Sequence, residues 1–169
     1  ERLGIPCYDS ELIQEMEKQT GFAADYVKEA GEYAPGGFFS SALSTRMFGP
    51  TNEDILWEHQ YKVITELAEK GPCVIVGRCA DYILKDYPDV LKIFLHADMS
   101  SKSRRVTEQY GISPEKALPE IERINRSREE HYRHYTGNHW GDIRNYNLTF
   151  DTGRFGVERV CAVVFVEAV

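Results

Sequence analysis

CVIVGRCADYIL, residues 73–84, is the stretch on which the fold turns. Cys73 to Val76 is apolar at every position, Gly77 interrupts the run, and Ala80 to Asp86 has a helical pattern. An alternating strand would have one wet face. A short run that is apolar throughout reads instead as a strand buried on both sides, and a helix directly after it is the repeating unit of a parallel sheet. Arg78 falls between the two, at the carboxyl end of the strand, where the chain must turn. Ligands of open parallel sheets bind at that end, which makes this arginine a candidate for function.

The same grammar extends outward in both directions. Leu91 to Leu95 and Tyr146 to Asp151 read as further strands, and Ser100 to Tyr110 as a helix. Ser113-Pro114-Glu115 opens a long helix reaching about Tyr135, and Phe155 to Val169 closes the chain as another. Toward the N-terminus, Asp9 or Ser10 caps a helix that stops at Gly21. A second helix starts near Asn52, turns Ile55, Leu56, Val63, Ile64 and Leu67 to the core, and ends at Gly71-Pro72. The alternation predicts an α/β fold of three layers, a parallel sheet flanked by helices. At 169 residues the chain is expected to be one domain, residues 1–169. APGGFFSS and FGPTN mark a loop-rich insertion at about 26–52. ERLGIP has the form of a helix ending, so an element beginning upstream of Glu1 is expected.

Composition narrows the function classes. A formal net charge of −7 argues against a protein that coats nucleic acid, because counterion release needs a basic surface. No apolar run approaches the ~20 residues of a membrane span, and the N-terminus shows no charged-then-apolar leader. No membrane partner and a cytoplasmic location are the expectations; the oligomeric state is not legible. Cys7, Cys73, Cys79 and Cys161 are dispersed without a CxxC pair and read as reduced thiols. His131, His134 and His139 have a spacing that could gather a metal but lack an acidic or cysteine complement, so no metal site is assigned. Cys79 beside Arg78 lacks the ordered base of a covalent nucleophile. Trp140 and Tyr146 read as packing against the sheet, or as a platform for a base.

The arginines say more. Arg78 offers a planar fork for phosphate or carboxylate, or else a salt bridge to Asp81. Lys102, Arg104 and Arg105 open the helix after the Leu91 strand, as an anion site or as a solvated face. On the long helix, Ile121, Ile124, Arg128, Tyr132 and Tyr135 share a stripe, which assigns Arg128 to the interior. Arg123, Arg126 and Arg133 share a neighbouring face. Converging guanidinium groups repel unless a polyanion lies between them, whereas a structural network would use Glu122, Glu129 and Glu130.

LGIPCYDSELI, ELAEKGPCVIVGRCADYIL, IFLHADMSSKSRRV and INRSREEHYRHYTGNHWGDIRNYNLTFDT occur in this order over nearly all the chain outside residues 26–52. Together they resemble the cytidylate kinase-like family of P-loop phosphotransferases. The resemblance implies a P-loop kinase-like fold, and ATP-dependent phosphorylation of a nucleoside monophosphate with Mg2+, CMP or dCMP being the first acceptor to consider. It implies that Arg78 grips the acceptor phosphate and that Asp9 lies near the acceptor or its magnesium shell. Asn125 and Arg126 would join the acceptor site. Arg104 and Arg105 would belong to a lid at about 99–135 over the donor phosphates, and Arg128 would reach in from that lid, so Arg78, Arg105 and Arg128 are the implied catalytic set.

Against the family pattern, no GxxxxGK[ST] occurs in these residues, so the first strand and phosphate loop are expected either upstream of Glu1 or lost from the protein. The aspartate that reads cytosine after the strand-end Gly-Arg is here Cys79, and Glu15 stands near where an acceptor-helix arginine belongs. A non-catalytic nucleotide- or partner-binding relative, or a kinase for a non-nucleotide small molecule, is the alternative.

Overall fold

The computed structural model describes residues 3–22 and 51–167. The insertion expected at 26–52 lies outside them apart from Thr51 and Asn52, which open a helix.

Strand β1 (Cys7–Tyr8) pairs in parallel with β2 (Val74–Ile75), and β3 (Ile93–His96) pairs in parallel with β4 (Leu148–Asp151). The parallel α/β architecture agrees with the sequence reading. Continuity does not: among the described residues the strands form two separate two-stranded sheets. Each strand has a ladder neighbour on one side, so flanking residues such as Cys73, Val76, Leu91 and Tyr146, expected to be strand, fall outside the ladder. Burial on both faces is incomplete as well, since Val74, Val76 and Leu95 are 39%, 46% and 56% exposed.

The core forms where helices meet the first sheet. Helix α1 (Ser10–Thr20) ends at Gly21, whose φ of +69° makes it the left-handed cap that the sequence requires. Helix α2 (Asn52–Glu69) packs on α1 and on the short α3 (Ala80–Ile83). Leu12 and Met16 from α1, Leu56, Val63, Ile64 and Leu67 from α2, and Ala80, Ile83 and Leu84 bury one another. Their three- and four-residue spacings bring each set to one helix face.

The start of α2 is fixed locally. The Thr51 hydroxyl accepts the Asp54 N–H at 3.1 Å, and the Asp54 carboxylate accepts the Thr51 N–H at 2.9 Å. Thr51→Ala is expected to lower unfolding free energy by about 1 kcal/mol, read from the urea midpoint. An unchanged midpoint would mean that packing alone sets this helix start.

Helix α4 (Met99–Tyr110), capped by the Asp98 carboxylate on the Ser101 N–H, packs on the long α5 (Pro114–Thr136). A 3-10 turn (Ile143–Asn145) leads into β4. The C-terminal helix expected from Phe155 is α7 (Val157–Glu167), and a short α6 (Thr152–Phe155) precedes it, separated by Gly156 at a φ of +80°. No helix of the described residues is long and apolar enough to cross a membrane.

Candidate functional site

The carboxyl ends of β1 and β2 lie side by side. The Val76 N–H donates to the Tyr8 carbonyl at 2.9 Å, so Asp9 and Gly77 leave the strand pair together. Gly77, Arg78 and Cys79 then take φ values of +70°, +54° and +54°, and the Ala80 N–H closes the turn on the Gly77 carbonyl at 3.0 Å. Glycine accepts this left-handed backbone freely, whereas each L-residue with a side chain loses on the order of 1–2 kcal/mol there. Strain of this kind persists only where surrounding structure imposes it, and such positions cluster at functional sites. Arg78 is 7% exposed, and its carbonyl accepts a hydrogen bond from Gln60 Nε2 at 2.9 Å.

Beside the turn lies a cluster of buried and half-buried titratable groups. The Tyr132 hydroxyl, on α5, donates to Asp81 Oδ2 at 2.6 Å. Burial raises the Asp81 pKa above the usual carboxylate range, opposed by the Tyr132 hydrogen bond and by Lys92. Burial and the Asp81 carboxylate push Tyr132 well above the ordinary tyrosine value. Tyr146 rises to about 12, through burial first and then the Asp81 charge. The Cys79 thiol is also pushed up to about 12, by burial and Asp81 against the counter-pull of Arg78, so it stays protonated and is no nucleophile at neutral pH.

Asp81 makes Tyr132→Phe informative. A carboxyl whose folded pKa lies above its unfolded value takes up a proton on folding, so stability falls as pH rises from about 4 through the folded pKa. Removing the Tyr132 O–H raises the Asp81 pKa further and strips a charge-assisted hydrogen bond. Tyr132→Phe is expected to cost about 2 kcal/mol at pH 7, with the difference from wild type narrowing toward pH 4. Urea titrations at the two pH values measure it, and a pH-independent loss would show that Asp81 is not the group involved.

A second constellation sits at the carboxyl ends of β3 and β4. His96 and Asp151 are paired in register, and Thr152 Oγ1 donates to the His96 carbonyl at 3.0 Å. A cleft of about 320 Å³ opens beside them, lined by Lys102, Arg104, Arg105, His96 and Thr152 among others. Gly153 lets α6 approach α4: a Cβ there would meet Ser101 Oγ at 2.7 Å. Three cations around one cleft make a donor set suited to a polyphosphate. A depression of about 380 Å³ over residues 137–145 differs, because there Arg144 is already neutralised by Asp142.

Sequence reasoning and structure agree unevenly over the long helix. Arg128 is exposed, not interior as its stripe suggested. The buried positions of α5 are Ala117, Ile121, His131, Tyr132 and Thr136, toward its two ends. It packs on α4, and its last turns meet α3 through Tyr132 and α2 through the Trp57–Tyr135 stack, centroids 4.3 Å apart. The middle, with Arg126 and Arg128 exposed and Asn125 half-buried, bridges the two contacts. Arg123 forms a bidentate pair with Glu120 at 2.7 and 3.0 Å, a partner not among the expected Glu122, Glu129 and Glu130. Glu15 pairs with Lys18 at 3.8 Å. His131 is buried while His134 and His139 are exposed, and the described residues contain no grouping able to hold a metal through three such side chains. Trp140 and Tyr146 pack around Phe94 of β3, edge-on at 5.4 Å and stacked at 4.9 Å. All four cysteines are free.

Two features went unread in the sequence. Asp81 appeared there only as an ion-pair partner, and its bond to Tyr132 joins residues 51 positions apart. Gln60 carried a visible signal, a polar side chain within the apolar series Leu56, Val63, Ile64 and Leu67.

Comparison with known proteins adds independent observations. A family model described as the cytidylate kinase-like family matches residues 1–154. The cytidylate kinase of Halobacterium salinarum is 33% identical over 91 residues, covering 54% of this chain and 47% of that protein. That of Pyrococcus horikoshii is 32% identical over 99 residues, 59% of this chain and 50% of its own length. The chain thus spans about half the length of these relatives. A crystal structure of an uncharacterized protein from Eubacterium ventriosum superposes with a TM-score of 0.65 at 22% identity, covering 93% of this chain and 89% of that one, a likeness of fold.

Proposed function

The chain belongs to the cytidylate kinase-like family, and from that premise we propose that it serves an ATP-dependent kinase that phosphorylates a nucleoside monophosphate, with CMP or dCMP first among the acceptors. The observation that carries this reading is Arg78, held nearly buried in a strained turn at the carboxyl ends of two parallel strands.

Phosphoryl transfer asks little covalent chemistry of a protein. Catalysis is alignment plus positive charge on the transferring oxygens. Arg78 clamps the acceptor phosphate by its planar fork, with Asn125 and Arg126 completing the acceptor side. Arg104 and Arg105 line the cationic cleft and take the donor phosphates. Arg105 and Arg128 bring charge to the transferring group from the lid at about 99–135, Arg128 from the exposed middle of α5. Lid closure excludes water, which otherwise competes as acceptor.

A bound Mg2+ would supply positive charge against the donor phosphates. Asp9, which leaves the strand pair beside Gly77, would lie near the acceptor or that ion's shell of waters. The base-reading position holds Cys79, 6% exposed and protonated, so a cytosine would be read by other groups. A small-molecule substrate and a cytoplasmic setting accompany this reading.

A coupled assay on the full-length protein with ATP, Mg2+ and a panel of nucleoside monophosphates beside non-nucleotide phosphates tests it. Turnover of a monophosphate supports the proposal, with the preferred acceptor showing what Cys79 does to base choice. Nucleotide binding without turnover of any acceptor would overturn it in favour of a non-catalytic relative.

A further inference from the structure

We infer that Gln60 is a positioning residue: from α2 it pins the Arg78–Cys79 turn in its left-handed conformation and so aims the Arg78 guanidinium. The inference rests on the reading of Arg78 as a phosphate clamp. Gln60 is 2% exposed, among the largest fully buried side chains, and its Nε2 donates across 18 residues of sequence to the Arg78 carbonyl at 2.9 Å. A leucine at this position would serve the helix interface without an amide to desolvate. The amide meets instead the carbonyl at the centre of a turn that its own residues disfavour.

The turn has the geometry of a type I′ β-turn, closed by the Ala80 N–H on the Gly77 carbonyl, with positive φ at both central residues. Asn-Gly is the pair that adopts this turn without help, and Arg-Cys is not. If it relaxes, the φ change at Arg78 swings its side chain away from the strand ends. On the far side, the Tyr132 hydroxyl holds Asp81 in the first turn of α3, so the segment is fastened from α2 and from α5. Gln60 therefore couples the packing of a core helix to the direction of one arginine.

The test uses the full-length protein with Gln60→Met, nearly isosteric but unable to donate, and Cys79→Gly, which accepts positive φ without a steric penalty. Amide hydrogen exchange at residues 80–83 should be at least about 10-fold faster in Gln60→Met, while amides of α4 keep wild-type rates. KM for the monophosphate should rise about 10-fold with KM for ATP unchanged, a split that general loss of packing would not produce. Glycine at 79 relieves one of the two strained positions, so Gln60→Met should speed exchange at 80–83 and raise KM by a smaller factor in the Cys79→Gly background than in wild type.

Unchanged exchange at 80–83 in Gln60→Met would overturn the inference. So would a Gln60→Met effect as large in the Cys79→Gly background as in wild type; if Gln60→Met alone does not fold, unchanged exchange at 80–83 between Cys79→Gly and the double variant overturns the inference. A wild-type protein without phosphotransfer would sink the kinase reading separately, while the exchange rates would continue to report whether Gln60 holds the turn.

Discussion

Arg78→Ala in the full-length protein is expected to lower kcat/KM for the monophosphate by about 100-fold or more, with the fold intact. The guanidinium supplies two parallel donors to a phosphate, so Arg78→Lys, a point charge on a flexible stem, should recover little of the loss. Alanine disfavours left-handed φ as arginine does, so the substitution leaves the backbone problem of the turn as it was. Arg128→Ala is expected to lower turnover to a similar extent with at most about 1 kcal/mol lost in stability, since that side chain is exposed. Steady-state kinetics varying acceptor and ATP separately, beside urea unfolding of each variant, measures both. Wild-type rates in the two variants would remove the clamp and lid roles together.

Ile64→Ala is expected to destabilise the chain by about 3–4 kcal/mol. Ile64 is 0% exposed, in the middle of α2, where α1, α2 and α3 share one apolar cluster. Removing its side chain loses transfer free energy and leaves a cavity that rigid helix neighbours refill only in part. Val163→Ala on α7, 45% exposed, should stay within about 0.5 kcal/mol of wild type. Urea midpoints with unchanged m values would report both. A loss below about 1 kcal/mol at Ile64 would mean that this cluster is not the core that holds the helices together.

Arg78→Ala and Ile64→Ala test different levels of the same element order. Helix α2 contributes Ile64 to the core and, one turn earlier, Gln60 to the Arg78 carbonyl. A pattern of apolar spacing locates the first because burial of greasy faces is a periodic, local property. It misreads Arg128 for the same reason: periodicity reports which residues share a face, while the neighbours decide which part of that face is covered. Helix α5 is contacted toward its ends, so a residue on the right stripe in the middle is left exposed.

Read by itself, the sequence determined the element types, the parallel α/β class, the strand-end place of Arg78 and the family resemblance. Each rests on local signals: an apolar run, a glycine stop, a proline or capping residue, and ordered motifs. Tertiary structure alone decided three things. Among the described residues it split the strands into two pairs, because a ladder needs a partner at hydrogen-bonding distance. It joined Asp81 to Tyr132 across 51 residues, which no local pattern encodes. It placed Arg78 and Cys79 in a backbone conformation that their own chemistry opposes, an arrangement available only where contacts from distant helices outweigh local preference.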